Sequence, residues 1–526
     1  MRHANDPGRA MKLWRTLLAI GGAGCLLLGT QWVRRAELPK QDLVIDAGGC
    51  RVPATLLYPP AGVTPAGTVV LLHGLSANRR LMMYLAEDFA GHGLRTYAFD
   101  LPGHGDNTEA FSFSRAQKCA TLAVDSLVRA GKIDPKTNTL VGHSMGAAIA
   151  IRMADLEPMN ATIAISPAPM ESSGRMPSNL LVFSASADLA PLKREAAQLS
   201  AAAQGDRIAP DDFSQKRAFE LKSLPYSTHT SLVSDRRVAH HSEQWIMQSL
   251  FPQIDSKTLT LNLDLGTYET YGNGRRRLAG AILGLVGILL IFPVACAIAA
   301  KLSGPALVES PGTKPSVQLA LVEFLVCSLI GVLILTLGNP LSFLHLYSGS
   351  YLASLLLIVG LLMHVLNFGF LMEYARFDAR KSICAAILGV GTILAVGGWM
   401  NWQIDDAWLN FPRWLRFAGI LPVAWIFCFA EEIALGAVGR GWNRALRFGF
   451  FGLLRAELFI ACLLGFYVLA NGQVLLVLLF VFFVLFSLLQ RLATDAFRAH
   501  TGSAEGAALF GAILTAWFVS VVFPLT

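Results

Sequence analysis

Residues 139–146 read Thr-Leu-Val-Gly-His-Ser-Met-Gly. A short strand-like run enters Gly142-His143-Ser144-Met145-Gly146, and residues 145–156 then carry helical periodicity. A G-x-S-x-G gains meaning only in such a strand–turn–helix setting. The turn is sharp, so small residues are needed on both sides, and Ser144 then projects its Oγ from the sheet edge. The helix that follows aims its N-terminus at the same spot, which favours developing negative charge. This is where a nucleophile would stand.

The chain on either side continues the alternation. Val69-Val70-Leu71-Leu72 runs into His73-Gly74-Leu75, a strand ending where a glycine lets the backbone turn. The amides of Leu75 and Met145 are the candidate oxyanion donors. The next apolar run, 95–99, leads into Asp100-Leu101-Pro102-Gly103-His104-Gly105. Further strand-like runs lie at 161–165, 180–184 and 218–221, with helical periodicity at 81–90 and 114–130. Residues 42–47 and 52–58 flank Gly48-Gly49 as a hairpin. Strands alternating with helices predict an α/β fold with a mostly parallel sheet.

The His-Gly turn, the D-x-x-G-H-G turn and the G-H-S-M-G elbow together resemble the α/β-hydrolase superfamily. Within it they are most similar to the lysophospholipase and monoacylglycerol-lipase-like serine hydrolases. Asp106 stands where that branch usually has serine. The resemblance covers about residues 55–250 and implies the chain order nucleophile, acid, histidine. Asp188 follows the 180–183 strand, and His229 follows the last strand. Ser144 would attack an acyl carbonyl, His229 would take its proton, and Asp188 would orient the imidazole. Asp211 and Asp212 are rival acids; His240 and His241, expected on the final helix, are rival bases. His104 and His143 belong to turn signatures and read as structural. Only the fourteen residues 166–179 separate two strands, too few for a large helical cap.

Composition sets the rest. Of 526 residues, 54% are apolar and 15% charged, against roughly 25% charged in soluble domains. An ordinary cytosolic enzyme is excluded. Residues 278–526 hold 13 Lys/Arg and 11 Asp/Glu, whereas the first 277 hold 30 and 25. Residues 16–33 are uncharged and about long enough to span a bilayer. Eight more apolar runs follow, near 278–300, 317–338, 351–372, 382–402, 417–439, 448–470, 474–490 and 506–525. The expected organisation is an anchor at 1–35, a hydrolase domain at 36–252, a linker at 253–277 and an eight-helix transmembrane domain at 278–526. Leu259, Leu261, Leu263 and Leu265 alternate with polar residues in the linker, as in a strand. With the hydrolase domain outside, inner loops hold ten Lys/Arg, from Lys301 to Arg498. The outer loops hold Arg413 and Arg416, which Asp405 and Asp406 offset. The outward exceptions, Arg34-Arg35 and Arg275-Arg276-Arg277, flank a translocated domain large enough to escape the rule. This asymmetry predicts a cytoplasmic N-terminus and a periplasmic or extracellular hydrolase domain, in a bacterial cytoplasmic membrane. The net charge of +7 belongs to these flanks rather than to a nucleic-acid footprint.

Six cysteines lie in apolar runs. Cys50 and Cys119 alone fall in the polar part and would pair as a disulfide in an oxidising compartment. No Cys/His cluster points to a metal, and no cofactor is implied. Within the apolar runs, Glu323, His364, Asn367, Glu431, Glu432 and Glu457 stand out, because ionisable groups at depth are costly. Glu431-Glu432 is the candidate polar site of the membrane half. Its faint resemblance to CPBP-type intramembrane proteases lacks their following arginine and downstream histidines, since only His500, expected in a loop, follows. The expected function is a membrane-integral serine hydrolase acting on a lipid or lipid-linked acyl ester. The alternatives are an acyltransferase, or a lipid transporter or flippase with an accessory hydrolase domain.

Overall fold

The computed structural model of the protein describes residues 7–36, 38–156, 159–169, 176–205, 212–254, 273–307, 316–369, 377–403, 407–436 and 444–526. The linker strand expected at 259–265 lies outside the described residues. So do Asp211, Lys314, Arg376, Asp405, Asp406, Arg440 and part of the 166–179 connection.

Eight strands form one sheet: β1 (Lys40–Ala47), β2 (Cys50–Leu57), β3 (Gly67–Leu72), β4 (Leu94–Phe99), β5 (Asn138–His143), β6 (Ala161–Ile165), β7 (Leu180–Ala185) and β8 (Phe219–Leu224). Their order is β1-β2-β4-β3-β5-β6-β7-β8. The β1–β2 hairpin is antiparallel to β4, and every later pair is parallel. Gly48 and Gly49 both take positive φ, +55° and +82°, as a tight hairpin turn with the twist of its strands requires. Helix α1 (Pro7–Ala36) precedes the sheet in the chain, and α2 (Arg79–Gly91), α3 (Phe113–Arg129), α4 (Met145–Leu156), α5 (Ala190–Gly205) and α6 (Arg236–Leu250) accompany the sheet.

The central strands read as unbroken apolar runs because both their faces are buried. Ile163, Ile165, Leu181 and Phe183 pack with Met82 and Phe89 of α2 and Trp245 and Ile246 of α6. The alternate residues Ala164, Leu180 and Val182 meet Ala147 and Ile151 of α4 and Ala196 and Leu199 of α5. Cys50 and Cys119 form a disulfide that ties β2 to α3, with Cα atoms 5.4 Å apart. Glu109 lies beside the two sulfurs, which in a disulfide are not thiolate ligands.

Nine helices among the described residues are long and apolar enough to cross a membrane, the first at Leu13–Arg35 and the last at Ala504–Val522. After α6 come α7 (Asn273–Leu302), α8 (Val317–Ile334), α9 (Gly349–Leu366), α10 (Ala379–Thr392), α11 (Gly398–Gln403), α12 (Phe411–Gly436), α13 (Arg444–Tyr467), α14 (Val474–Leu478), α15 (Phe480–Thr501) and α16 (Ala504–Val522). The chain divides into two compact units. One comprises Met1–Leu26, Gly284–Trp399 and Ala407–Pro524; the other comprises Leu27–Leu283, Met400–Asp406 and Leu525–Thr526. Helix α7 begins at Asn273, within the stretch read as a linker. Its first turn is held by α2, where Gly274 N–H donates to Asp88 at 3.2 Å and Arg277 pairs with Glu87.

The helical unit departs from its apolar runs in several places. The run at 474–490 breaks at Leu479, and α15 continues to Thr501 through Arg491, Asp495 and Arg498. His500 therefore belongs to a helix, not a loop, as do Arg413 and Arg416 of α12. Helix α13 runs unbroken through Arg455 and Glu457. Charge ends an apolar run on paper, but a partner on another helix, such as Glu431 of α12 for Arg455, lets the helix continue.

Candidate active site

Strand β5 ends at His143, and Ser144 follows at φ +54°, a conformation non-glycine residues adopt only at a cost. The neighbouring glycines explain how the turn closes. A Cβ on Gly142 would strike the backbone of Gly146, and one on Gly146 would strike the carbonyl of Leu72. Ser144 is buried, and its N–H donates to the Ile165 carbonyl at 2.9 Å. Its own carbonyl accepts from Ala147 and Ala168, each at 3.1 Å.

Asp188 and His229 come from the ends of β7 and β8, and their side chains meet at 2.9 Å, Oδ1 to Nδ1. A third side chain joins them. The Ser166 hydroxyl, just beyond β6, bonds Asp188 Oδ2 and lies 2.9 Å from His229 Nδ1. A hydroxyl has one proton to give, so Ser166 donates to the carboxylate and accepts from Nδ1–H. That assignment puts the imidazole proton on Nδ1 and leaves Nε2 a base. Burial works against the Asp188 charge, but the His229 bond and charge and the Ser166 hydroxyl outweigh it. Its carboxyl is held below the usual range.

His143 acts on this pair from behind. It lies beside His229, ring centroids 4.7 Å apart, and its Nε2–H donates to the His229 carbonyl at 3.0 Å. Burial, and secondarily the neighbouring His229, push its pKa down to about 3, so it stays neutral. Across the site, a Cβ on Gly74 would lie 2.9 Å from His143 Nδ1 and 3.1 Å from Ser144 Cβ. Only glycine lets that loop close on the nucleophile. The loop is braced by His73, whose Nε2 accepts from Leu101 N–H at 3.0 Å while Nδ1–H donates to the Gly74 carbonyl at 2.8 Å. The amides of Leu75 and Met145 have no hydrogen-bond acceptor among the described residues. Of the rivals, His240 and His241 lie on α6. No hydrogen bond joins Asp212 to a histidine among the described residues.

Sequence reading missed two side chains here. Ser166 had one signal, a serine before Pro167 at the end of the strand next to β5. Arg79 is buried at the start of α2 and donates to Thr55 at 3.0 Å, to Asp106 at 2.6 Å and to Asp100. It uses the aspartate that stands in the usual serine position, and it holds together the turn after β4.

Glu431 and Glu432 lie elsewhere, buried in the helical unit and already ion-paired. Glu431 accepts from Arg455 at 2.8 Å, and Arg455 also lies 5.0 Å over the Phe427 ring. Glu432 accepts from Arg491 at 2.5 Å and from Arg498, and Arg491 pairs in turn with Asp495. Asn367 donates to Glu323 at 3.0 Å.

Residues 69–268 match the profile of a family described as the Alpha/beta hydrolase family. Similar solved structures include XC6422 from Xanthomonas campestris, described as an a/b serine hydrolase without lid. It is 16% identical, covers 41% of this chain and 98% of its own, and gives a TM-score of 0.32. Est1E from Butyrivibrio proteoclasticus, bound to ferulic acid, is 15% identical over 40% of this chain and 99% of its own, TM-score 0.32. A Pyrobaculum calidifontis esterase is 14% identical over 46% and 94%, TM-score 0.33. Comparison with curated proteins gave no match. The chain thus carries an α/β-hydrolase domain with a mostly parallel sheet, together with a helical region of long apolar helices.

Proposed function

We propose that the protein is a membrane-integral serine hydrolase that cleaves a carboxylic ester through an acyl-enzyme on Ser144. The observation that carries this reading is the left-handed Ser144 at a strand–helix turn, next to His143, which holds a His229 whose Nδ1–H is already bound to Asp188. Ser144 Oγ attacks the acyl carbonyl while its proton passes to His229 Nε2, and Asp188 stabilises the imidazolium. The oxyanion takes the free N–H groups of Leu75 and Met145. Collapse expels the alcohol, which recovers the proton, and water then releases the acid by the same route. None of these steps calls for a metal or an organic cofactor.

The substrate is a membrane lipid or lipid-linked acyl ester. The lysophospholipase-like turn motifs support this, as do the apolar helices that keep the enzyme at a bilayer. The hydrolase domain faces the periplasm or exterior, with the N-terminus cytoplasmic; the loop charge asymmetry and the Cys50–Cys119 disulfide support that side. A fluorophosphonate probe should label the full-length protein in detergent. Labelling should vanish in Ser144→Ala and fall at least about 100-fold in His229→Ala. Undiminished labelling of Ser144→Ala would remove the nucleophile and the reading with it.

A further inference from the structure

We infer that Ser166 is a positioning residue of the reaction, the point from which nucleophile, base and acid are all held. The inference rests on the serine-hydrolase reading above and adds a residue to it. Its side chain bonds the two members of the pair at once, Asp188 through Oδ2 and His229 through Nδ1 at 2.9 Å. Its backbone neighbours hold the third. Ile165 accepts from the Ser144 N–H at 2.9 Å, and the Ala168 N–H donates to the Ser144 carbonyl at 3.1 Å. Residues 165–168 therefore touch every member of the Ser144, His229 and Asp188 set.

The backbone shows that the hydroxyl is what this position keeps. Ser166 has φ +48°, a left-handed conformation that glycine adopts freely and a side chain strains. It is pinned there by its N–H, which donates to the Phe183 carbonyl at 2.8 Å, and it is 1% exposed. A strained, buried serine stands where glycine would be relaxed, and its hydroxyl is engaged with the Asp188–His229 pair. That hydroxyl does two things. It fixes the rotamers of both partners, and by donating to Asp188 it withdraws electron density from the carboxylate that faces the imidazole. Without it, Asp188 loses a donor and His229 loses an acceptor, and both side chains are freer to leave the reactive rotamer.

Ser166→Gly separates these effects from stability, because it removes the hydroxyl and relieves the strain together. For full-length protein in detergent hydrolysing p-nitrophenyl butyrate, kcat should fall about tenfold and KM change less than about twofold. The unfolding midpoint should fall less than in Ser166→Ala, because only glycine relieves the strain at this φ. Ser166→Ala should show the same kinetic loss while keeping the strain. If both variants keep the wild-type kcat, or lose activity only in proportion to lost folding, the positioning role is overturned. Labelling of Ser144 by fluorophosphonate in these variants tells that failure from the other one. A probe that still labels Ser144→Ala overturns the serine-hydrolase reading and this inference together.

Discussion

A histidine beside the site stores a pH dependence of stability. His143 titrates near 3 when folded and near 6.5 in an unfolded chain. As pH falls from 6.5, the unfolded state takes up a proton that the folded state refuses, so stability is lost. The loss is about 1.4 kcal/mol per pH unit, or up to about 3 kcal/mol by pH 4.5. The depressed Asp188 carboxyl works in the same direction at lower pH, so a substitution is needed to separate the two. In His143→Gln the denaturant midpoint should fall less steeply between pH 7 and 4.5 than in wild type. Equal slopes would show that His143 is not held neutral by the fold. At this scale the sequence was readable where local geometry dictates residue type. Gly142, Gly146 and Gly74 sit where a side chain would clash, so the turn announces itself. Ser166 and Arg79 were not readable, because their partners come from other strands and other turns and no spacing along the chain encodes them.

Elements fared differently in the two halves. In the hydrolase domain, strand ends fell within a few residues of expectation because Gly, Pro and turn signals punctuate the apolar runs. Helix α5 was passed over, since its alanine-rich sequence separates apolar and polar faces weakly. In the helical unit a charge reads as a boundary, and α15 shows why it is not one. Its cations are matched by Glu432 of α12, a relation only the packed helices reveal. Glu432→Gln should leave two buried guanidinium groups facing a neutral amide, with Asp495 still on Arg491, at a cost of about 3 kcal/mol. A lowered melting temperature in detergent should report it, with a smaller loss for Glu432→Asp. An unchanged melting temperature for Glu432→Gln would mean the arginines find water or other acceptors instead.

For the molecule as a whole, the number of long apolar helices was legible because bilayer thickness sets a minimum run that soluble helices rarely reach. Sidedness rests on loop charge, and exposed positions can test it. Cysteines introduced at Ser214 and Ser342 should react with an impermeant thiol reagent in intact cells, above the unsubstituted background. One at Ser316 should react only after permeabilisation, and the reverse pattern would turn the protein over. The ion pairs of α15 also bear on how such a chain enters a membrane. Residues 480–490, before Arg491, cover only about 16 Å of the roughly 30 Å of hydrocarbon. Each arginine left alone at depth adds about 3 kcal/mol to the cost of leaving the translocon. On α15 itself Asp495 answers Arg491, so the helix carries part of its own compensation. Helix α12 precedes it in the chain, so Glu432 is already made when Arg491 and Arg498 emerge from the ribosome. The order of synthesis places the Glu432 anion in the chain before the two arginines it pairs with in the folded protein.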